Sequence, residues 1–158
     1  MKGLISYIKR LPNCNVASAS GLPPVPGYPL PKDVIEFYQE CGGCDLFTDK
    51  PYAMSIVAPV DFVKANPVIA MTHEPTGDIS DDWFIVGKSS EQYVTIDLND
   101  KRFGLCYDSF WDRHAVAGSC PIIATTFSEF MEKIVADNGD KWYWTSPQFS
   151  SPGDAYRA

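Results

Sequence analysis

The sequence predicts an α+β domain, a largely antiparallel sheet flanked by helices. Three observations carry that expectation. Two amphipathic helices with clear boundary signals stand near residues 31–41 and 126–136. Between them the apolar residues change to a period-two alternation. The links between those alternating segments are short, which suits hairpins and leaves no room for the crossover helices of a parallel sheet.

The elements follow in chain order. Leu4, Ile5, Ile8 and Leu11 share one helical face, so a short amphipathic helix is expected over 3–11. Residues 12–29 hold five prolines (12, 23, 24, 26 and 29) with Gly21 and Gly27, and read as an extended, irregular arm. Pro31 suits the first position of a helix, where its missing N–H costs nothing. Asp33 complements the macrodipole from the first turn. Val34, Phe37, Tyr38 and Cys41 continue at helical spacing, with Ile35 beside them, and Gly42-Gly43 is expected to stop the helix through a left-handed cap. Met54 to Val57 reads as a short strand and Pro59 to Ala65 as a helical turn. Residues 66–82, rich in Pro, Gly, Asp, Thr and Ser, read as loop.

Trp83-Phe84-Ile85-Val86 is a compact strand. In Tyr93 to Leu98, Val94, Ile96 and Leu98 face one way and Tyr93, Thr95 and Asp97 the other. Asn99-Asp100 supplies turn chemistry, after which Arg102 to Tyr107 returns as a partner strand. Pro121 to Thr125 adds another strand. Thr126-Phe127-Ser128-Glu129 is a capping box, in which Thr and Glu satisfy each other's exposed N–H groups. Phe127, Phe130, Met131, Ile134 and Val135 then form a complete apolar stripe, ended by Asn138-Gly139. Trp142-Tyr143-Trp144 is followed by Ser-Pro-rich residues expected to be poorly ordered. There is no internal repeat. The expected organisation is an N-terminal helix and proline-rich arm (1–29), the main domain (30–136), and a C-terminal tail (137–158) that joins the same domain or is partly disordered.

The 158 residues suit one domain, and 45% hydrophobic against 21% charged residues is globular composition. The formal charge of −7 repels a nucleic-acid backbone, and Lys9-Arg10 and Lys101-Arg102 are isolated pairs rather than a basic patch. No nucleic-acid partner is expected. An acidic surface favours solubility and speeds encounter with a basic partner. No apolar run approaches the roughly 20 residues that span a bilayer. Lys9 and Arg10 interrupt the N-terminal apolar stretch, so it does not read as a signal peptide. A cytoplasmic protein without membrane contact is expected, its five cysteines (14, 41, 44, 106 and 120) reduced.

The sequence offers little chemistry. In Cys41-Gly42-Gly43-Cys44 the first cysteine closes a helix C-terminus, where the dipole opposes a thiolate; a redox pair needs the opposite end. Zinc would need four ligands, and Cys106 and Cys120 make no second knuckle. Asp108, Asp112 and His114 surround Phe110 and Trp111 without any metal-ligand spacing. His73 lies in a loop, and Asp97, Asn99 and Asp100 lack the glycine and the closing Glu of a calcium loop. No triad order, phosphate loop or dinucleotide fingerprint is present. The expectation is therefore no catalytic residue, no metal and no cofactor. A thiol or zinc enzyme using Cys41 and Cys44 remains the alternative.

Three segments together resemble one family. Leu30-Pro31-x-Asp33 opening a helix, Phe37 within it and Gly42-Gly43 closing it resemble the "LPxDYxxFL…NGG" opening of the SUKH superfamily. This is the family of bacterial immunity proteins that includes the fungal cell-wall-synthesis regulators. Trp83-Phe84-Ile85-Val86-Gly87 followed by Tyr93 to Leu98 resembles its central strands. Thr126-Phe127-Ser128-Glu129-Phe130-Met131 resembles its closing "SFxEFL" helix. The chain departs from the pattern at Cys41, where Asn is usual, at Lys88-Ser89-Ser90-Glu91 in place of a glycine-rich turn, and in the proline-rich arm. The resemblance implies a non-catalytic binding domain: either an immunity protein that neutralises a cognate toxin, such as a nuclease, or a regulatory or scaffold module of the same fold.

A basic protein partner would be met by acids beside aromatic anchors. Two segments supply that mixture: Asp78 to Phe84, with Asp81 and Asp82 beside Trp83, and Asp108 to Asp112, with Phe110 and Trp111. A strand-initial position favours the core for Trp83, whereas Trp111 is read as core or anchor alike. No oligomeric state is legible.

Overall fold

The computed structural model describes residues 1–157. Short links between alternating segments produce seven strands whose spatial order is their chain order, every adjacent pair antiparallel. They are β1 (Asn15–Val16), β2 (Cys44–Leu46), β3 (Met54–Ile56), β4 (Trp83–Ser89), β5 (Gln92–Asp97), β6 (Cys106–Asp108) and β7 (Ile122–Ala124). The helices are α1 (Lys2–Ile8), α2 (Lys32–Glu40), α3 (Ala65–Ile69) and α4 (Phe127–Ala136). The α+β expectation holds. The arm contributes β1, and β2 follows the double glycine; both were missed because two or three residues carry no periodicity. Helix α3 lies where loop was expected. The strand expected over 102–107 begins only at Cys106, after a turn, and the first helix ends at Ile8.

Helix α2 starts directly after Pro31, and Asp33 does more than complement a dipole. Its Oδ2 accepts the Ser128 N–H at 2.8 Å, joining the first turns of α2 and α4. The glycines after α2 act differently from the expected cap. Cys41 leaves the helix in extended conformation. A Cβ on Gly42 would lie 2.3 Å from the Ser18 carbonyl oxygen, so Gly42 exists to admit the arm. Gly43 takes the left-handed conformation, φ +107, pressed against the backbone leaving β3.

The α4 cap is half as expected. Thr126 Oγ1 accepts the Glu129 N–H at 3.1 Å. The Glu129 carboxylate reaches past Thr126 to the N–H (2.6 Å) and hydroxyl (2.8 Å) of Thr125, and takes Lys133 Nζ at 2.7 Å. Those bonds, Lys133 foremost and then Thr125, pull its pKa down to about 2. The apolar stripe of α4 is buried throughout. Phe127 meets Phe37 of α2 edge-on at 5.2 Å. Phe130 presses onto the sheet at Gly87, where a Cβ would stand 3.2 Å from Val94 Cβ and 3.6 Å from the Phe130 ring.

The other face of the sheet is covered at its Trp83 end, contrary to the simple alternation read for Tyr93, Thr95 and Asp97. Thr95 and Asp97 are fully buried. Residues 109–120 and the tail cover them: His114 and Tyr156 each meet the Trp83 ring edge-on, at 5.6 and 6.1 Å. The tail, both its aromatic residues and the Ser-Pro-rich residues after them, is bonded into the fold. Tyr143 donates its hydroxyl to the Ile123 carbonyl at 2.8 Å, and Trp144 packs at 6.2 Å from Phe130. Gly153 O accepts Ile122 N–H, Ala155 N–H donates to Cys120 O, and Asp154 accepts from Gly118 and Cys120 N–H. The tail thus closes the β7 edge.

Candidate protein-binding surface

The acids nominated beside Trp83 are spent on internal bonds. Asp81 accepts from the N–H groups of Thr76 (2.9 Å) and Gly77 (2.7 Å), from Thr76 Oγ1 and from Asn66 Nδ2. Asp82 accepts from the Tyr28 hydroxyl of the arm and from Asn99 Nδ2. Asp78 accepts from Ser80 N–H and from the Tyr156 hydroxyl of the tail. Burial pushes the Asp78 pKa up, but the bonds from Ser80 and Tyr156 outweigh it, and the pKa is lowered. These three carboxylates clip the 70–82 segment to the arm, to α3 and to the tail. Trp83 itself is fully buried, its indole N–H given to Asp97 at 3.0 Å. Trp83 therefore faces the core rather than a partner, and the acids beside it are engaged in bonds that hold the molecule together.

Asp97 centres the scaffold beneath it. Besides Trp83 it accepts from Tyr107 Oη at 3.0 Å, Arg102 Nε at 2.8 Å and Asn99 N–H at 2.8 Å. Burial raises its pKa, and the bonds from Asn99, Arg102 and Tyr107 act in the opposite direction. Four donors hold this buried carboxylate in a structural network.

The second nominated segment divides. Asp108 is fully buried, holding the Phe110 N–H at 3.1 Å and Arg113 Nη1 at 2.7 Å. Phe110, 8% exposed, inserts toward Trp142 at 5.1 Å. Both point into the molecule and root the loop. Successive turn bonds from Arg113 and His114 N–H to Phe110 O then fix its course. Trp111 stands out from this rooted loop, 66% exposed, with Asp112 exposed beside it. A large aromatic on a backbone already held in place loses little freedom on binding.

A third surface escaped sequence reasoning. Loop 109–120 and the tail cover only the Trp83 end of their face; the end over β2–β5 stays open. Register places Asp45, Ser55, Lys88 and Tyr93 side by side across it. There they line a concave trough of about 340 Å³ together with Ile85, Asp61, Val63 and Val68. The available signal was compositional: Val60, Val63, Val68 and Met71 are large apolar residues in segments read as turn and loop, and all four are exposed.

All five cysteines are free and buried. Cys41 and Cys44 are buried, and burial raises both pKa values. Among the described residues no group of three or more His, Cys, Asp or Glu side chains is placed to hold a metal ion. No helix among them is long and apolar enough to cross a membrane.

Comparison with known proteins agrees with this architecture. Residues 26–133 match the SMI1/KNR4 family (SUKH-1), a span that runs from before α2 into α4 and includes β2 to β7. The chain is also 41% identical over 157 residues to a protein of Bacillus subtilis (strain 168) named immunity protein YokJ, covering 97% of this chain and 93% of that relative. The second similarity extends over most of the arm and the tail, and so beyond both ends of the family match.

Proposed function

This chain belongs to the SMI1/KNR4 family (SUKH-1), and on that footing we propose that it is an immunity protein, one that neutralises a cognate toxin by binding it directly and without catalysis. The observation that carries the reading is the 41% identity to a protein named for immunity, sustained over 97% of the chain. The side-chain chemistry supports it. The buried carboxylates Asp97 and Asp108 are held by structural bonds, and the buried thiols are kept protonated. What remains available is recognition: Trp111 on a rooted loop, with Asp112 beside it.

The partner is a basic toxin, a nuclease being one fitting class, and an interface of about 1,600 Å² is typical for such a complex. Trp111 anchors it by desolvation and Asp112 speeds the encounter electrostatically. The test is co-expression with the toxin domain encoded beside this chain, followed by binding kinetics on the purified pair. The parent chain rescues growth. Trp111→Ala, folded by circular dichroism, weakens binding about 30-fold or more through faster dissociation, since a desolvated aromatic is worth about 2 kcal/mol or more. Asp112→Asn slows association in a salt-dependent way. Absence of rescue by the parent overturns the immunity reading. Rescue and binding by both variants at the parent's level overturn the assignment of the Trp111 face.

A further inference from the structure

The open trough over β2–β5 shares no residue with the Trp111 loop. We propose that it is a second docking surface, and that it receives an extended protein segment that presents a basic and an aliphatic side chain on the same face, at alternate positions. The inference stands apart from the toxin reading, because it concerns the chemistry of the trough alone.

Apolar side chains line a concavity here without being covered. Val63 is 39% and Val68 43% exposed, and Ile85 lies behind them on the open sheet face. A neighbouring loop or helix normally buries such a group, as residues 109–120 do over Trp83. The charges around it are unbalanced. Asp45 and Asp61 make no ion pair among the described residues, and the Asp45 carboxylate receives one hydroxyl, from Ser55, at 2.6 Å. Lys88 is the one basic residue that lines the trough with these two acids.

That imbalance selects the occupant. A purely apolar or an acidic segment would take two carboxylates out of water with one ammonium between them, a cost of several kcal/mol. A basic segment pairs them while its aliphatic stems lie along Val63 and Val68. A second copy of this chain is disfavoured on the same ground, since it brings a further −7 and the same two carboxylates. Length follows from register. Asp45, Ser55, Lys88 and Tyr93 sit on four adjacent strands, three inter-strand steps of about 4.8 Å, so the trough spans roughly 14 Å. An extended chain rises about 3.3 Å per residue, which fits about four residues.

The experiment follows amide chemical shifts of the ¹⁵N-labelled full chain during titration with three acetylated, amidated peptides. With serine at every second position, one carries arginine and valine in turn between the serines, one glutamate and valine in turn, and one arginine alone. The arginine–valine peptide is expected to produce saturable shifts centred on Ser55, Val63, Lys88 and Tyr93, and to bind at least about tenfold more tightly than either counterpart. Asp45→Asn with Asp61→Asn keeps the shape, including the bond from Ser55, and should weaken it by about tenfold. Equal binding of the glutamate peptide would overturn the proposal by showing an apolar surface without charge selection. Equal binding of the arginine–serine peptide would overturn it by showing charge attraction without a groove. Shifts centred elsewhere, or concentration-dependent self-association through Val63 and Val68 in the absence of peptide, would overturn it as well. The parent chain alone decides these four outcomes, so misfolding of the double variant leaves the test intact.

Discussion

Acidification from about pH 7.5 to about pH 4.5 should destabilise this protein by about 2.5 kcal/mol more than it destabilises a His114→Gln variant. His114 is buried against Trp83, with Nε2 bonded to Asn66 Oδ1 at 2.8 Å and Nδ1 without a partner. Burial lowers its pKa from 6.5 to about 4, and nearby Asp78 only partly opposes that shift. The unfolded chain therefore takes up the proton first. The stabilisation from the neutral ring is complete above 6.5 and is lost as the pH falls toward 4. Each pH unit in that window removes about 1.36 kcal/mol, and two units, less the curvature at the ends, give about 2.5 kcal/mol. Glutamine does not titrate and can still donate to Asn66, so the remaining carboxylates contribute equally to both proteins and cancel in the difference. Urea unfolding followed by tryptophan fluorescence, for both proteins at both pH values, measures that difference. A value below about 0.5 kcal/mol would refute a buried, neutral His114 and with it the close packing of loop 109–120 on Trp83.

Other perturbations test other parts of the scaffold. Phe130→Ala should cost about 3–5 kcal/mol in urea unfolding, because its fully buried ring fills the space left by Gly87; a loss below about 1 kcal/mol would show that α4 does not pack there. Thr126→Ala should cost about 1 kcal/mol in the same assay, and not more, because the Glu129 carboxylate holds Thr125 and Lys133 independently of the Thr126 hydroxyl. Replacing Cys41 and Cys44 together by alanine should leave growth protection intact, and the purified parent should carry no stoichiometric zinc by elemental analysis; about one tightly held zinc per chain would restore the metal reading.

The helices were legible because many residues vote for each. Five apolar positions of α4 and its capping threonine point one way, and Pro31 with the α2 stripe another. The short strands were not legible. Asn15–Val16 is a strand only because Gly42 lets Ser18 lie against the backbone after α2, a contact between segments distant in sequence. The candidate surface was half legible for a similar reason. Acids beside an aromatic look alike in sequence whether they face water or each other. Trp83 and Trp111 each have aspartates close by, yet Asp97 takes the indole N–H of Trp83 into the core, while the bonds rooting Asp108 and Phe110 leave Trp111 outside. The trough was invisible because Asp45, Val63, Val68 and Tyr93 come from four separate segments that only the sheet brings together.

The closing of β7 by the tail bears on the order in which the chain can fold. Asp154 takes the N–H groups of Gly118 and Cys120, and Tyr156 covers Trp83, so one face of the sheet is finished by some of the last residues described. Polypeptides emerge from the ribosome at about 5–20 residues per second, and elements made early begin to fold before later ones exist. During that interval the Trp83 face and the β7 edge lack their cover, while α2 has yet to meet α4. The strands can pair early, but the sheet becomes a finished two-faced structure late. A nascent or truncated chain lacking residues 142–157 would present that edge and that tryptophan to chaperones and proteases.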